Sequence, residues 1–125
     1  MAQISLPQVE LPTARGADPP LPADFFRALS SNVEGEIRLD FHNRLLYATD
    51  ASLYQVEPLG VVIPANIPDG VRAVRTCFEH NIAMLPRGGG TSLAGQCTNQ
   101  AIVIDWSNRC RAYSDLNINA KTINV

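Results

Sequence analysis

Cysteine and histidine are scarce in this chain of 125 residues, which contains three and two of them. Cys77, Cys97 and Cys110 have neither the spacing of a zinc site nor that of an iron–sulfur cluster. The first residues also lack the basic and apolar regions of a secretory leader. We therefore predict a cytoplasmic protein with reduced cysteines and no metal site in this chain.

Excess charge and long apolar runs are missing too. The 10 basic and 12 acidic residues leave a net charge of -2, which indicates no basic surface for nucleic acid. Proline or charged residues interrupt the apolar runs well before the roughly 20 residues that a membrane-spanning helix needs. The sequence thus predicts neither a nucleic-acid partner nor a transmembrane segment.

Apolar residues are present in sufficient number for one core. At 46% hydrophobic and 18% charged residues, the chain can support one modest globular domain. Residues 1–21 are rich in proline and have little periodicity, which predicts a flexible lead-in. Residues 22–125 are predicted to form the domain itself.

The first part of the predicted domain contains one clear helix. It is expected to begin near Pro22, because proline is tolerated in a first helical turn. Its apolar residues are four apart, at Phe25, Leu29 and Val33. The alternation of Ile37, Leu39 and Phe41 then predicts a short strand, followed by a long ordered loop.

The most regular pattern begins with a β-branched strand at residues 61–63, which Pro64 stops. Asn66, with Asp69 three residues later, resembles the capping box that opens a helix. That helix has one predicted apolar face, made of Val71, Val74, Cys77 and Phe78.

Two more strands complete a βαβ arrangement. The helix is expected to end at Asn81 in the left-handed conformation, and the second strand covers Ile82–Leu85. The apolar run at Ala101–Asp105 suits a strand buried on both faces. The final KTINV, residues 121–125, is predicted to begin another strand. The fold class is therefore α/β, and α+β overall, with a small parallel βαβ sheet and flanking helices.

The stretch MLPRGGGTSLAGQ, residues 84–96, places four glycines directly after the second strand. At the C-terminal end of a parallel strand, glycine lets the backbone take positive φ and approach a ligand, so that successive N–H groups can bind an anion. Thr91 and Ser92 add hydroxyl groups and Gln96 adds an amide. Arg87 would either stabilise negative charge or hold the loop by binding carbonyl groups. These donors suit a diphosphate.

Glycines alone are a weak signal, because a glycine-rich loop can also be no more than a tight connection. The spacing 88, 89, 90 and 95 differs from G-x-G-x-x-G, and the Gly-Lys-Ser/Thr of the P-loop is missing. The residues by themselves predict a nucleotide diphosphate site and leave a plain connector open. Gly89→Val is expected nearly to abolish binding, by filling the ligand's space and by opposing positive φ.

The segment PRGGGTSLAGQ, together with YATDASLYQVEPLGVVIP upstream, resembles FAD-linked oxidases of the vanillyl-alcohol oxidase/p-cresol methylhydroxylase (PCMH) type. Within that family the chain is most similar to glycolate oxidase and D-lactate dehydrogenase flavoproteins that carry a carboxy-terminal iron–sulfur region. The resemblance covers residues 25–125. It implies the first subdomain of a PCMH-type FAD-binding domain and predicts that the chain is a truncated, amino-terminal fragment.

The resemblance also implies which residues contact FAD. The glycine loop would wrap the pyrophosphate, Gly95 and Gln96 would lie near the flavin, and Pro64 would border the cofactor. The positions that match the family pattern are Pro64, Pro86, Arg87, Gly88, Gly89, Gly90, Thr91, Ser92, Gly95 and Gln96. FAD is expected to bind without a covalent bond, because the loop contains neither histidine nor cysteine. No catalytic base can be named in this chain.

By the same resemblance, the whole protein would oxidise a D-2-hydroxy acid of the D-lactate, glycolate or 2-hydroxyglutarate type to the 2-oxo acid. This chain alone is expected to be inactive. The resemblance leaves open a membrane-associated electron acceptor and a peripheral location at the membrane. Two alternatives also remain open, namely another FAD-dependent oxidase or reductase of the same fold and a non-catalytic nucleotide-binding fragment.

Other reactive side chains have simpler interpretations. His42 lies in a polar stretch and His80 at a helix end, which favours surface and capping roles. Asp50 is expected to form a local Asx turn, and Cys97 has no base nearby in the sequence. The aromatic residues expected to pack with a polar tip are Tyr54, Trp106 and Tyr113.

Overall fold

The computed structural model describes residues 21–124, so the lead-in predicted at 1–21 lies outside the described residues except for its last position. Leu21 packs, half-buried, against the main core. In chain order the elements are α1 (Ala23–Asn32), β1 (Glu36–Arg38), α2 (Phe41–Leu46), β2 (Gly60–Ile63), α3 (Ile67–Glu79), β3 (Met84–Arg87), β4 (Ile102–Asp105), β5 (Ser114–Asn117) and β6 (Thr122–Asn124).

Four strands form one sheet in the order β1-β2-β4-β3. β2 and β3 both pair with β4 in parallel, so that Val61 and Leu85 lie on either side of Val103. Because α3 connects β2 to β3, the predicted parallel βαβ unit is confirmed. β1 pairs with β2 in the antiparallel direction and makes the sheet mixed.

The core lies on both faces of this sheet. All four residues of β4 are buried, as its apolar run predicted. On the face covered by α1 and α3, the buried residues are Phe25, Leu29, Val33, Val62, Ala73, Cys77, Ile102 and Ile104. On the other face, Val61, Ile63 and Val103 pack with the partly buried Tyr47 and Leu85. Because side chains pack on both faces, the sheet and the ends of its strands are held in fixed positions.

Both long helices begin where the sequence predicts, and α3 also ends as predicted. α1 follows Pro22, and its Phe25 side chain is fully buried. α3 follows Asn66, whose side chain accepts a hydrogen bond from the Asp69 amide at 2.9 Å. The chain leaves α3 through Asn81 at φ 54°, the left-handed conformation expected there.

The buried face of α3 differs from the predicted one. Val71 and Phe78 are 49% and 77% exposed. The residues that face inward are Asp69, Gly70, Ala73, Thr76 and Cys77. Small residues are needed there because neighbouring groups approach the helix closely, since a Cβ at Gly70 would lie 2.3 Å from the Trp106 ring. Hydrophobicity alone does not reveal such a close approach.

The long loop predicted after β1 is wrong for residues 41–46, which form α2. Phe41, which the alternating pattern assigned to a strand, is the first residue of this helix. The Asp40 side chain caps it by accepting a hydrogen bond from the Asn43 amide at 3.0 Å. The local cap therefore prevails over the alternation of apolar residues.

The strand predicted at Ile82–Leu85 lies two residues later in the structure, as β3 at Met84–Arg87. β3 ends at Arg87, because pairing with β4 continues until Arg87 lies opposite Asp105. Pro86 is tolerated in β3 because β3 is an edge strand. β6 confirms the strand predicted at the end of the chain, and it pairs with the unpredicted β5 in an exposed antiparallel hairpin.

Candidate functional site

The candidate site is the glycine loop, residues 88–97, which follows β3. The parallel strands β2, β4 and β3 all end at one edge of the sheet, and the loop begins at that edge. Open α/β sheets bind ligands at the carboxyl ends of their parallel strands. The loop is therefore in the position that the sequence predicted for a ligand site.

Backbone N–H groups without partners are concentrated at the start of the loop. Within residues 21–124, no group of the chain accepts a hydrogen bond from the amides of residues 88–92. A Cβ atom built on Gly88 would meet nothing within 4 Å, and one on Gly89 would meet only Thr91 Cγ2, at 3.6 Å. Free donors thus lie beside open space, which is the arrangement that a diphosphate requires.

Two other glycines determine the shape of the loop. Gly90 and Gly95 have positive φ angles of 67° and 79°. A Cβ at Gly90 would lie 2.5 Å from Arg87 Nη2, and one at Gly95 would lie 2.7 Å from Tyr54 Cδ2. The expectation that Gly89 needs positive φ is wrong, because among the described glycines only Gly90 and Gly95 have it.

The Arg87 side chain binds backbone carbonyl groups. Its Nη1 donates to the carbonyl oxygens of Tyr47 at 3.2 Å and Cys97 at 3.1 Å, and its Nη2 donates to that of Thr49 at 2.8 Å. Of the two roles considered for this residue, the structure shows the one in which it holds the loop. Its three acceptors come from the end of the loop and from residues 47–54, which we call the support segment.

The support segment binds the loop through two further contacts. The Ala51 amide donates to the Gly90 carbonyl at 3.0 Å. The Asp50 carboxylate accepts from the amides of Ser52 at 2.9 Å and Cys97 at 3.2 Å. The bond to Ser52 confirms the predicted Asx turn, and the bond to Cys97 was not foreseen. Asp50 thus joins the support segment to the end of the loop.

The charge of Asp50 is stabilised where it lies. Hydrogen bonds from the side chain and amide of Ser52, with smaller contributions from the Cys97 amide and the Arg87 charge, outweigh partial burial and lower the pKa of Asp50 below its ordinary value. The carboxylate is therefore ionised at neutral pH. An ionised group accepts the Cys97 amide more strongly than a neutral one would.

Sequence reasoning missed a polar pair beneath the loop. The Tyr47 hydroxyl donates to the buried Asp105 carboxylate at 2.7 Å. Burial, and then the hydrogen bond to Asp105, raise the pKa of Tyr47 to about 12. The ring of Tyr47 lies 5.3 Å from Arg87 Cζ, a cation–π distance. The one available signal was Asp105 itself, an acidic residue that ends an apolar strand.

The remaining predicted site residues are distributed around the loop. Ser92 donates its hydroxyl to Gln96 Oε1 and accepts from the Gln96 amide at 3.3 Å, so these two bind each other. Pro86 is an exposed residue of β3. Pro64 is fully buried at the end of β2, which β4 separates from β3. Every predicted residue except Pro64 therefore lies in β3 or in the glycine loop that follows it.

The two histidines lie outside the glycine loop. His80 is the C-cap of α3, and its ring packs edge-on against Phe25 with centroids 5.6 Å apart. His42 is an exposed residue of α2. These positions agree with the capping and surface roles that the sequence favours for them.

Two kinds of feature are absent from the described part of the chain. No helix among residues 21–124 combines the length and the apolar character that crossing a membrane requires. The same residues contain no cluster of three or more histidine, cysteine, aspartate or glutamate side chains that could hold a metal ion.

The sequence is similar to one family model and to known proteins named for hydroxy-acid chemistry. The family model described as FAD binding domain matches residues 58–125. D-2-hydroxyglutarate dehydrogenase of Haemophilus influenzae is 35% identical over 95 residues, which are 74% of this chain and 9% of that protein. The same enzyme of Pseudomonas putida is 32% identical over 106 residues, 82% of this chain and 10% of that protein. Glycolate oxidase subunit GlcD of Bacillus subtilis is 39% identical over 66 residues, 50% of this chain and 14% of that protein.

Two solved structures have the same fold. Alkyldihydroxyacetonephosphate synthase superimposes with a TM-score of 0.70 at 18% identity, over 82% of this chain and 23% of that one. Physcomitrella patens BBE-like 1 superimposes with a TM-score of 0.61 at 21% identity, over 79% of this chain and 22% of that one. At such identities the likeness concerns the fold alone, and it confirms the predicted fold class.

The geometry of the loop and the sequence comparison agree on the ligand class. The matched residues, 58–125, are more than half of the chain and include β2, β3, β4 and the whole glycine loop. The free amides and open space of that loop fit a dinucleotide with a diphosphate. This chain therefore belongs to the FAD-binding domain family.

Proposed function

We propose that this chain binds the diphosphate of FAD in a flavoenzyme that oxidises a D-2-hydroxy acid to the 2-oxo acid. The observation that carries the proposal is the run of amides at residues 88–92 without partners among the described residues, which face open space at the edge of a parallel sheet. The relatives named D-2-hydroxyglutarate dehydrogenase and glycolate oxidase support the substrate class. The chain spans 9% of the first of these relatives, so the activity is proposed for the whole protein.

The glycine loop would supply most of the contacts to FAD. Amides of residues 88–92 would donate to the phosphate oxygens, and the Thr91 hydroxyl would add another donor. Bound FAD would supply the acceptor for the hydride that leaves the hydroxyl-bearing carbon of the substrate. The full proposed set of residues that contact FAD is Pro64, Pro86, Gly88, Gly89, Gly90, Thr91, Ser92, Gly95 and Gln96. Arg87, which the resemblance also assigns to the site, holds the loop through backbone carbonyl groups.

Discrimination between flavins tests this proposal. In the full-length protein, FAD should bind about 10- to 100-fold more tightly than FMN, because FMN lacks the second phosphate and its one or two charge-assisted hydrogen bonds. A flavin-fluorescence titration with both compounds measures the ratio. Equal affinities would contradict a diphosphate site.

The holoprotein should also reduce a dye with D-2-hydroxyglutarate, D-lactate or glycolate as the electron donor. Turnover of none of these three compounds would reject the substrate class.

We further propose that FAD is held without a covalent bond. The loop from 88 to 96 contains no histidine or cysteine, and the nearest thiol, that of Cys97, is half-buried. Precipitation of the holoprotein with acid should therefore leave a yellow supernatant over a colourless pellet. A coloured pellet, and a peptide with the added mass of FAD, would disprove this. Loss of that colour in Cys97→Ser would identify the attachment residue.

The resemblance predicts three further properties of the whole protein, which we keep as proposals. They are a carboxy-terminal iron–sulfur region, an electron acceptor at a membrane and a cytoplasmic or peripheral location. Iron and acid-labile sulfide can be measured in the purified full-length protein. Absence of both would remove the iron–sulfur proposal and would leave the FAD site unaffected.

A further inference from the structure

We propose that Arg87 positions the glycine loop and does not itself bind the diphosphate of FAD. The inference rests on the proposed function, because it concerns how this loop binds that cofactor. A guanidinium group is well suited to phosphate, so an arginine directly before three glycines would ordinarily be assigned to the ligand. The contacts of this side chain point to a different role.

Both terminal nitrogens of the guanidinium are bound to backbone carbonyl groups. Nη1 donates to Tyr47 and Cys97, and Nη2 donates to Thr49. Tyr47 and Thr49 belong to the support segment, while Cys97 is the last residue of the glycine loop. Because Arg87 directly precedes the loop, one side chain joins the loop's two ends and the segment beside it.

Packing holds the guanidinium in that place. Its Cζ lies 5.3 Å from the centroid of the Tyr47 ring, whose hydroxyl is bound to buried Asp105. The loop backbone approaches it closely as well, since a Cβ on Gly90 would lie 2.5 Å from Nη2. The guanidinium thus contacts both the Tyr47 ring and the loop. Releasing it to reach a phosphate would break three hydrogen bonds and leave three carbonyl groups without this donor.

The consequence is that neutral groups of this loop bind the diphosphate. The amides of residues 88–92 are donors without formal charge, and their usefulness depends on being held in one arrangement before FAD arrives. Arg87 would provide that arrangement, with a second connection from Asp50 to the Cys97 amide. A lysine could keep the charge at position 87, but its single ammonium group does not reproduce the planar fork that joins three carbonyl groups.

Arg87→Lys and Arg87→Met in the full-length protein test the inference. Each should weaken FAD binding by about 10- to 100-fold, the loss expected from one or two hydrogen bonds of a charged group. The slope of affinity against salt concentration should equal that of the wild type, because no ion pair with phosphate is lost. Amide hydrogen exchange of the flavin-free protein should be faster in both variants at Ala51 and Cys97, whose amides bond the support segment and the loop to each other. Arg75→Met, at an exposed position of α3, is the matched control and should change neither quantity.

Several outcomes would overturn the inference. Wild-type affinity in Arg87→Lys with a loss only in Arg87→Met, together with a reduced salt slope, would make Arg87 a phosphate ligand. Unchanged exchange at Ala51 and Cys97 would remove the positioning role. If Arg87→Met does not fold, Arg87→Lys decides alone, since it retains the charge that a phosphate role needs. If the wild type binds no FAD, the proposed function fails, while hydrogen exchange still tests whether Arg87 orders the loop.

Discussion

Gly90→Val should disorder the glycine loop and lower FAD affinity by at least about 100-fold, which corresponds to roughly 3 kcal/mol. Gly90 has φ 67°, and the left-handed conformation costs an ordinary residue about 1–2 kcal/mol. Its Cβ would lie 2.5 Å from Arg87 Nη2, so the guanidinium would have to leave its carbonyl partners. Bound flavin, measured by absorbance, and the Tm of the flavin-free protein should therefore both fall.

Gly88→Ala is the matched variant, and it should separate stability from binding. A Cβ on Gly88 would meet nothing within 4 Å, and the residue is not in the left-handed region, so Tm should stay the same or rise slightly. The new methyl group would nevertheless enter the open space beside the free amides and should reduce FAD binding. Full FAD affinity in Gly88→Ala would show that the diphosphate does not lie there. An unchanged Tm in Gly90→Val would show that positive φ at Gly90 is not required.

Asp69→Ala should lower the free energy of unfolding by about 3–5 kcal/mol, the range for breaking a buried charged pair. The Asp69 side chain is fully buried and accepts hydrogen bonds from the amides of Glu34 at 2.8 Å, Gly35 at 2.9 Å and Ala65 at 2.9 Å. It also accepts from Arg72 Nη2 at 2.8 Å. Removing the carboxylate leaves these donors without their acceptor.

Urea denaturation of Asp69→Ala and of a control variant measures that loss. Asp24→Ala removes an exposed carboxylate from the first turn of α1, where a negative charge contributes about 0.3–1 kcal/mol. The loss at Asp69 should exceed the control by several-fold. Equal losses at the two positions would mean that the amides bound to Asp69 find water or other partners instead.

Asp69 should also make stability depend on pH in acid. Burial is the largest influence and by itself raises the pKa of Asp69, but the amides of Ala65, Glu34 and Gly35 together with Arg72 outweigh it and lower that pKa. A carboxyl group whose pKa is lowered on folding stabilises the protein above its unfolded pKa of about 3.9. This stabilisation is lost as the pH falls through the lower, folded value. Asp69→Asn should therefore flatten the dependence of unfolding free energy on pH below about 4, and an unchanged profile would contradict it.

The sequence was sufficient wherever one local pattern decides the structure. The strands β2 and β4 follow from continuous β-branched runs, because such residues suit a strand buried on both faces. The ends of α3 follow from Asn66 and Asn81, because an asparagine can cap an N-terminus and can leave a helix in the left-handed conformation. The position of the glycine loop follows from the parallel sheet, whose strands end at a common edge.

Patterns of hydrophobicity failed where neighbours distant in sequence decide which residues are buried. α3 turns Ala73 and Thr76 inward and leaves Phe78 exposed. On the same inward face, the Trp106 ring lies too close to Gly70 for a larger side chain. The sequence contains Trp106, but no pattern in the neighbouring residues shows that its ring packs on Gly70, which lies far from it in the chain. β5 was missed because its residues are all exposed and have no apolar alternation.

By itself, then, the sequence determined the fold class, the family and the place of the glycine loop, since each depends on residues that are close together in the chain. Only the tertiary structure decided what the polar side chains do. Arg87 could bind phosphate or carbonyl groups, and folding brings to it two carbonyl oxygens of the support segment and that of Cys97. Asp69 was expected to cap its own helix, and besides the Ala65 amide beside that helix it binds the amides of Glu34 and Gly35 on a distant segment. The strength of a hydrogen-bond donor or acceptor is set by its chemistry, whereas its partner is set by which segments folding brings within 3 Å or so of it.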